Sequence, residues 1–222
     1  MPRTSRAIPT EMRILVLGAT GGTGTQVVAQ ALEQGHIVTA FVRDPARLKS
    51  KPDGLRVLVG DVTGGGDALA AAARNQDAVI SALGLGKSLE SHGLIARSIP
   101  AVVGAMKAEG VRRLVFLSAY GVGVTRRDTP LLPRLVSQLL LKDMYADKNA
   151  GEDELRRIGD EIDWTIVYPV TLTNGPRTGR YRFGERLDLY GLPRISRADV
   201  AEFMLAQLRD TTYVRKGVLV AS

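Results

Sequence analysis

Residues 12–24 read Met12-Arg13-Ile14-Leu15-Val16-Leu17-Gly18-Ala19-Thr20-Gly21-Gly22-Thr23-Gly24. An apolar run stops at a glycine and opens into a glycine-rich loop. Helix-compatible residues follow over 22–34 and close at Gly35. The pattern reads as a buried strand, a tight turn and a helix. Glycines in such a turn permit positive φ and close approach of a ligand to the backbone. The helix that follows offers unpaired N–H groups to a pyrophosphate.

The same alternation continues along the chain. Strand-like runs stand at Ile37 to Val42, Leu55 to Gly60, Asp77 to Ser81, Arg113 to Ser118 and Trp164 to Pro169. Helical patterns lie at about 66–75, 90–109 and 131–158. The order implies an α/β fold, a doubly wound parallel sheet of Rossmann type with helices on both faces. Residues 170–195 change character, with Asn174-Gly175-Pro176, Thr178-Gly179 and Tyr190-Gly191-Leu192-Pro193. We expect loops and one or two short strands there, forming a small substrate lobe. A last helix over Asp199 to Leu208 and a last strand over Gly217 to Val220 complete the single domain, 12–222. Residues 1–11 lack an apolar core and read as a flexible tail rather than a signal peptide.

Composition narrows the function classes. The 222 residues carry 30 basic and 23 acidic side chains, giving +7, and contain no cysteine and two histidines. Disulfides, thiolate metal sites and a cysteine nucleophile are excluded. His36 and His92 are too far apart in sequence to suggest a zinc motif, and no metal is expected. The basic residues are scattered and aromatics are 5%, so base-stacking platforms are scarce. The charge suits small anions such as phosphorylated cofactors better than a nucleic-acid partner. No run of about 18 apolar residues suggests a membrane span. A cytoplasmic protein is the expectation, as a monomer or homodimer.

The glycine spacing is Gly18-x-x-Gly21-x-x-Gly24, with Gly22 as an extra. It resembles the atypical or extended branch of the short-chain dehydrogenase/reductase superfamily. The likeness continues through Gly60-Asp61-Val62, Ser81-Ala82-Leu83-Gly84, Leu117-Ser118-Ala119 and Ile195-Ser196-Arg197-Ala198-Asp199. The run Val38 to Leu48 is similar to the group of flavin reductases, biliverdin reductase B and NmrA-like proteins. The resemblance implies a nicotinamide dinucleotide held by Gly18, Thr20, Gly21, Gly22, Thr23 and Gly24. It implies Asp61 and Val62 beside the adenine, and Leu83 and Gly84 near the ribose and pyrophosphate. It also implies Tyr168, Pro169, Val170 and Leu172 passing over the nicotinamide, with Ser118 near the cofactor and Lys148 binding its ribose or nicotinamide.

An acidic residue ending the second strand would favour NAD. Here Arg43 comes first and Asp44 follows. Arginine presents a planar fork of donors suited to a 2′-phosphate, so NADP is expected over NAD. Arg47 stands nearby as a second cation, and Asp44 suits a capping role.

Catalysis in the superfamily rests on Ser, Tyr and Lys, with Tyr and Lys four apart. Ser118 stands at the matching strand end. Tyr145 and Lys148, however, are three apart. Either Met144 holds the tyrosine place before Lys148, or Asn149 holds the lysine place after Tyr145. A carbonyl acceptor benefits from a positioned acid, whereas a conjugated acceptor spreads the arriving charge. The expectation is an NADP-dependent oxidoreductase passing hydride to a conjugated small molecule such as a flavin or quinone, with Ser118, Lys148 and Tyr145 at its centre. Two alternatives stand: a non-catalytic NADP sensor of NmrA-like type, and a sugar-nucleotide epimerase or dehydratase.

Overall fold

The computed structural model describes residues 11–64, 66–84, 90–127 and 142–222. The expected tail up to residue 10, and the apolar stretch 131–141 expected to open the long helix, lie outside the described residues.

Strands β1 (Arg13–Leu17), β2 (Ile37–Val42), β3 (Leu55–Val59), β4 (Ala78–Ser81), β5 (Arg113–Leu117), β6 (Asp163–Pro169), β7 (Thr171–Thr173), β8 (Arg182–Gly184), β9 (Arg194–Ser196) and β10 (Lys216–Ala221) alternate with helices. The helices are α1 (Gly22–Glu33), α2 (Asp67–Ala73), α3 (Leu94–Ala108), α4 (Lys142–Ile158) and α5 (Arg197–Ala206). The main sheet runs β3-β2-β1-β4-β5-β6-β10-β8. It is parallel up to β10, and β8 pairs antiparallel at the far edge. Helices on both faces bury β1, β4 and β5 completely along most of their length. That burial explains why their sequences are continuous apolar runs rather than alternating ones.

Strand order reverses between β1 and β4, which lie side by side. In an open parallel sheet the crevice outside the carboxyl ends at this point is the usual ligand site. Gly18 follows β1 at φ +77°, and a Cβ there would lie 2.5 Å from the Ala82 carbonyl oxygen after β4. The two loops therefore meet so closely that only glycine fits.

The segment 170–195 contains three short strands where one or two were expected. β7 and β9 form their own two-stranded parallel sheet. β8 joins the edge of β10 through Leu219, Val220 and Ala221. The third strand forms because β10 otherwise presents an unpaired backbone edge. Asp199 ties the preceding loop to α5. Its carboxylate accepts from the Thr178 N–H at 2.7 Å, the Gly179 N–H at 3.0 Å and the Ser196 hydroxyl at 2.8 Å. Burial alone would raise its pKa, but the Thr178 and Gly179 amides prevail and hold it below the usual carboxylate range.

α3 and α4 are fixed by a comparable device. The buried Asp147 carboxylate accepts from the backbone N–H groups of Ile95 and Ala96 at 3.0 and 2.9 Å, capping the first turn of α3. Gly151 on α4 sits against Ile95, with no room for a Cβ. Lys148 lies between these two anchors, so its direction is set by helix packing.

Candidate active site

A single cleft of about 1180 Å³ runs across the carboxyl ends of the strands. It exceeds the roughly 300–1,000 Å³ of a drug-sized ligand pocket, and has room for a dinucleotide and a second molecule.

At one end lies the glycine loop. Gly18, Thr20, Gly21, Gly22 and Thr23 line the cleft. α1 starts with no side-chain cap, so the first-turn N–H groups and the positive end of the helix dipole face an incoming anion. Thr25 braces the loop from below, its hydroxyl donating to the carbonyls of Gly21 at 2.8 Å and Ala19 at 3.2 Å. Gly24 is not a lining residue. A Cβ at Gly24 would collide with the Gly18 carbonyl, so this glycine lets α1 pack on the loop. Its expected cofactor contact is corrected to a packing role.

Three cations gather beyond β2: Arg43, Arg47 and Lys49 all line the cleft. Asp44 turns away and caps a 3-10 turn at Pro45–Arg47, accepting from the Ala46 N–H at 2.9 Å. Val62 lines the cleft as expected of an adenine neighbour, together with Phe41 and Gly60. Asp61 does not. One carboxylate oxygen, Oδ1, accepts from both the Thr63 N–H and the Thr63 hydroxyl, each at 2.8 Å. Those bonds, helped by Arg43, hold its pKa below the usual carboxylate range. Through Oδ1 the side chain closes a local turn between the cleft residues Gly60 and Val62.

Ala82, Leu83 and Gly84 continue the wall after β4, and Leu117, Ser118, Ala119 and Tyr120 continue it after β5. From α4 come Met144, Tyr145 and Lys148. Both candidates for the tyrosine place reach the cleft, and Met144 stands four before Lys148. Tyr145, three before, shares the same helical face. Its hydroxyl donates to the Tyr120 carbonyl at 3.1 Å. Lys148 is only 5% exposed. Its ammonium donates to the Leu117 carbonyl at 3.0 Å and lies 5.9 Å above the Phe116 ring. Burial draws its pKa down to about 8, against the pull of Glu152 and Asp147.

The far end is apolar. Pro169, Val170, Thr171 and Leu172 follow β6, and Leu189, Leu192 and Pro193 face them. Tyr168 is absent from this wall, and its expected cofactor contact is overturned. Its side chain is 0% exposed and its hydroxyl donates to Glu152 Oε2 at 2.6 Å. Gly217 on the neighbouring β10 leaves the space that the ring fills.

Two residues at this site escaped the sequence reading. Arg197, at the start of α5, lines the cleft and lies across Gly22. Asn174 holds it there, accepting from Arg197 Nη1 at 2.7 Å. The signal was present in the Ile195 to Asp199 motif, but only packing shows what that motif aims. Glu152 is the second, fully buried beneath Ser118. α4 is rich in charge, so its buried face is not evident from hydropathy.

The glycines, helix terminus and cations together fit a dinucleotide phosphate chain. A family model described as NAD(P)H-binding matches residues 18–211. The chain belongs to the NAD(P)H-binding family. Its relatives in this NAD(P)H-binding family include an uncharacterized chloroplastic protein of Arabidopsis thaliana, 31% identical, with 88% of this chain and 71% of the relative covered. The uncharacterized protein YwnB of Bacillus subtilis is 27% identical, with 95% and 99% covered. Among solved structures, the anaerobilin reductase ChuY of Escherichia coli O157:H7 shares the fold. It superposes with a TM-score of 0.77 at 21% identity, covering 94% of this chain and 96% of ChuY. The oxidoreductase ylbE of Lactococcus lactis gives 0.79 at 20% identity, covering 94% and 90%. The chain is thus an NAD(P)H-binding protein with a Rossmann-type fold. Among the described residues no helix is long and apolar enough to cross a membrane.

Proposed function

We propose that this chain is an NADPH-dependent reductase acting on a flat, conjugated small molecule such as a flavin or quinone. One observation carries the reading. A single cleft joins a cationic, glycine-lined end to an apolar end, with Ser118, Tyr145 and Lys148 between them.

The residues fit the nucleotide as follows. Gly21, Gly22 and Thr23 offer backbone donors to the pyrophosphate, and Arg197 covers it from the opposite side. Arg43, with Arg47 and Lys49, holds a 2′-phosphate and so selects NADP over NAD. Lys148 holds the nicotinamide ribose. Pro169, Val170 and Leu172 pass beside the ring. When bound, the reduced nicotinamide supplies a hydride. Leu172, Leu189, Leu192 and Pro193 press the acceptor flat and exclude water.

Met144 before Lys148 and the commitment of Tyr145 to the Tyr120 carbonyl leave no tyrosine in the usual acid position. That favours an acceptor able to delocalise charge over a simple ketone. The same pair of observations supports a second reading, a nucleotide-sensing regulator. NADPH oxidation with FMN as acceptor separates them: the reductase turns over, while the sensor binds NADPH and leaves it intact. The 170–195 segment serves as the acceptor lobe, and the protein acts as a monomer or homodimer in the cytoplasm.

A further inference from the structure

Beneath Ser118, on the side away from the cleft, lies a buried polar cluster that hydride transfer alone does not use. Ser118 lines the cleft, and its Oγ is bonded to Glu152 Oε1. The other carboxyl oxygen, Oε2, takes two donors: the Tyr168 hydroxyl at 2.6 Å and Arg156 Nη2 at 3.1 Å. Arg156 also donates to the Tyr168 hydroxyl at 3.1 Å. Glu152 is 0% exposed, whereas the Arg156 side chain is 30% exposed. Gly123 closes over the carboxyl group so tightly that no Cβ fits there. Among the described residues, the charged and titratable groups facing Glu152 are Arg156 and Lys148 from its own helix and Tyr168 from β6. Ser118 adds its hydroxyl from the end of β5.

The division between the two oxygens matters. Oε2 is saturated by donors, so a proton on this carboxyl belongs on Oε1, facing Ser118. Burial raises the pKa of Glu152, and the bonds from Ser118, Tyr168 and Arg156 do not fully offset it. The protonated carboxyl then donates to Ser118 Oγ, which frees the serine hydroxyl to donate into the cleft.

We propose that Glu152 is a positioning residue that carries a proton and passes it to the acceptor through the Ser118 hydroxyl. This rests on the reductase reading above. The acceptor gains a hydride, two electrons and one proton, at the expense of the cofactor, and then needs one further proton. The Ser118 O–H bond breaks as a new N–H or O–H bond forms on the acceptor. The Glu152 O–H bond breaks as the serine O–H is restored. The carboxylate left behind is held by Tyr168 and Arg156, and a proton from water recharges it along the partly exposed Arg156. The site thereby replaces the missing tyrosine acid.

The test compares wild type, Glu152→Gln, Ser118→Ala and the double variant. NADPH binding, followed by fluorescence, stays unchanged in all four. With FMN, kcat of each single variant falls by about 100-fold, within the range of general acid catalysis. The double variant falls no further, because the two residues act as one relay. Wild-type kcat declines as pH rises through the Glu152 pKa, and the Glu152→Gln profile is flat. Infrared difference spectra of the nucleotide-free protein give a readout independent of turnover. Wild type and Ser118→Ala show a protonated carboxyl band near neutral pH that Glu152→Gln lacks.

An ionised Glu152 at neutral pH overturns the proposal. So does a Glu152→Gln or Ser118→Ala variant with wild-type kcat and pH profile; if Glu152→Gln does not fold, Ser118→Ala and the wild-type spectra still decide. Wild type that binds NADPH and reduces no acceptor defeats the reductase reading itself, and the relay with it. Turnover without dependence on Glu152 defeats the relay alone.

Discussion

Arg197 lies across Gly22: a Cβ on Gly22 would come within 2.7 Å of Arg197 Cδ and 2.9 Å of its Nε. The first residue of α5 therefore covers the first residue of α1. Gln30 on α1, donating to the Ala198 carbonyl at 2.9 Å, locks the two helices together. In the proposed complex Arg197 covers the pyrophosphate.

Replacing Arg197 by Ala removes a charged donor without disturbing the core. NADPH affinity is expected to fall by about 10- to 100-fold, the equivalent of about 1.5–3 kcal/mol for a hydrogen bond to a charged group. The thermal midpoint should stay close to wild type. Gly24→Ala behaves differently, since the new methyl meets the Gly18 backbone carbonyl. It should lower the thermal midpoint as well as binding, as measured by calorimetry and fluorescence titration.

Arg43→Ala bears on nucleotide choice. The loss should be specific to NADPH, with NADH affinity nearly constant, reducing the NADPH preference by about tenfold or more. Equal losses for both nucleotides would place Arg43 away from the 2′-phosphate.

Lys148 sets a pH dependence. Its pKa is depressed to about 8 by burial. The ammonium form donates to ribose hydroxyls more strongly than the amine, so NADPH affinity is expected to fall as pH rises through about 8. Lys148→Met should bind more weakly and lose this slope. Stability runs the other way: a depressed lysine contributes stability above its unfolded pKa that is lost as pH falls through about 8.

Glu152 gives the opposite sign. Its folded pKa is raised above the ordinary 4.5. The proton-binding stability is complete below 4.5 and fades as pH rises through the folded value. Unfolding free energy of wild type relative to Glu152→Gln should therefore decrease with rising pH, by about 1.4 kcal/mol for each unit by which the pKa is raised. Denaturant titrations at several pH values check this.

The run from Met12 to Gly24, with the alternation that follows it, made the parallel α/β sheet and the glycine-lined end of the cleft legible, because strand burial and glycine spacing are local properties. Arg43 and Asp44 were also separable, since adjacent side chains at a strand end diverge. Residues whose role depends on distant packing were not readable. Tyr168 stands next to cleft residues in sequence, but strand alternation turns its ring toward α4. That Asp61 also closes a turn with Thr63 through Oδ1 was not evident from its motif. Glu152 lies in a helix rich in charge, and groups distant in sequence, among them Gly123, Ser118 and Tyr168, close around it. Met144 and Tyr145 could not be ranked from spacing, and the fold brings both to the cleft.

The central claim is NADPH-dependent reduction in this cleft, and absorbance-followed oxidation of NADPH and NADH in parallel tests it most directly. FMN and a quinone serve as acceptors, with a no-enzyme blank and nucleotide binding monitored in the same samples. The account predicts turnover, with NADPH consumed faster than NADH. Confirmed NADPH binding with no oxidation by either acceptor would contradict it.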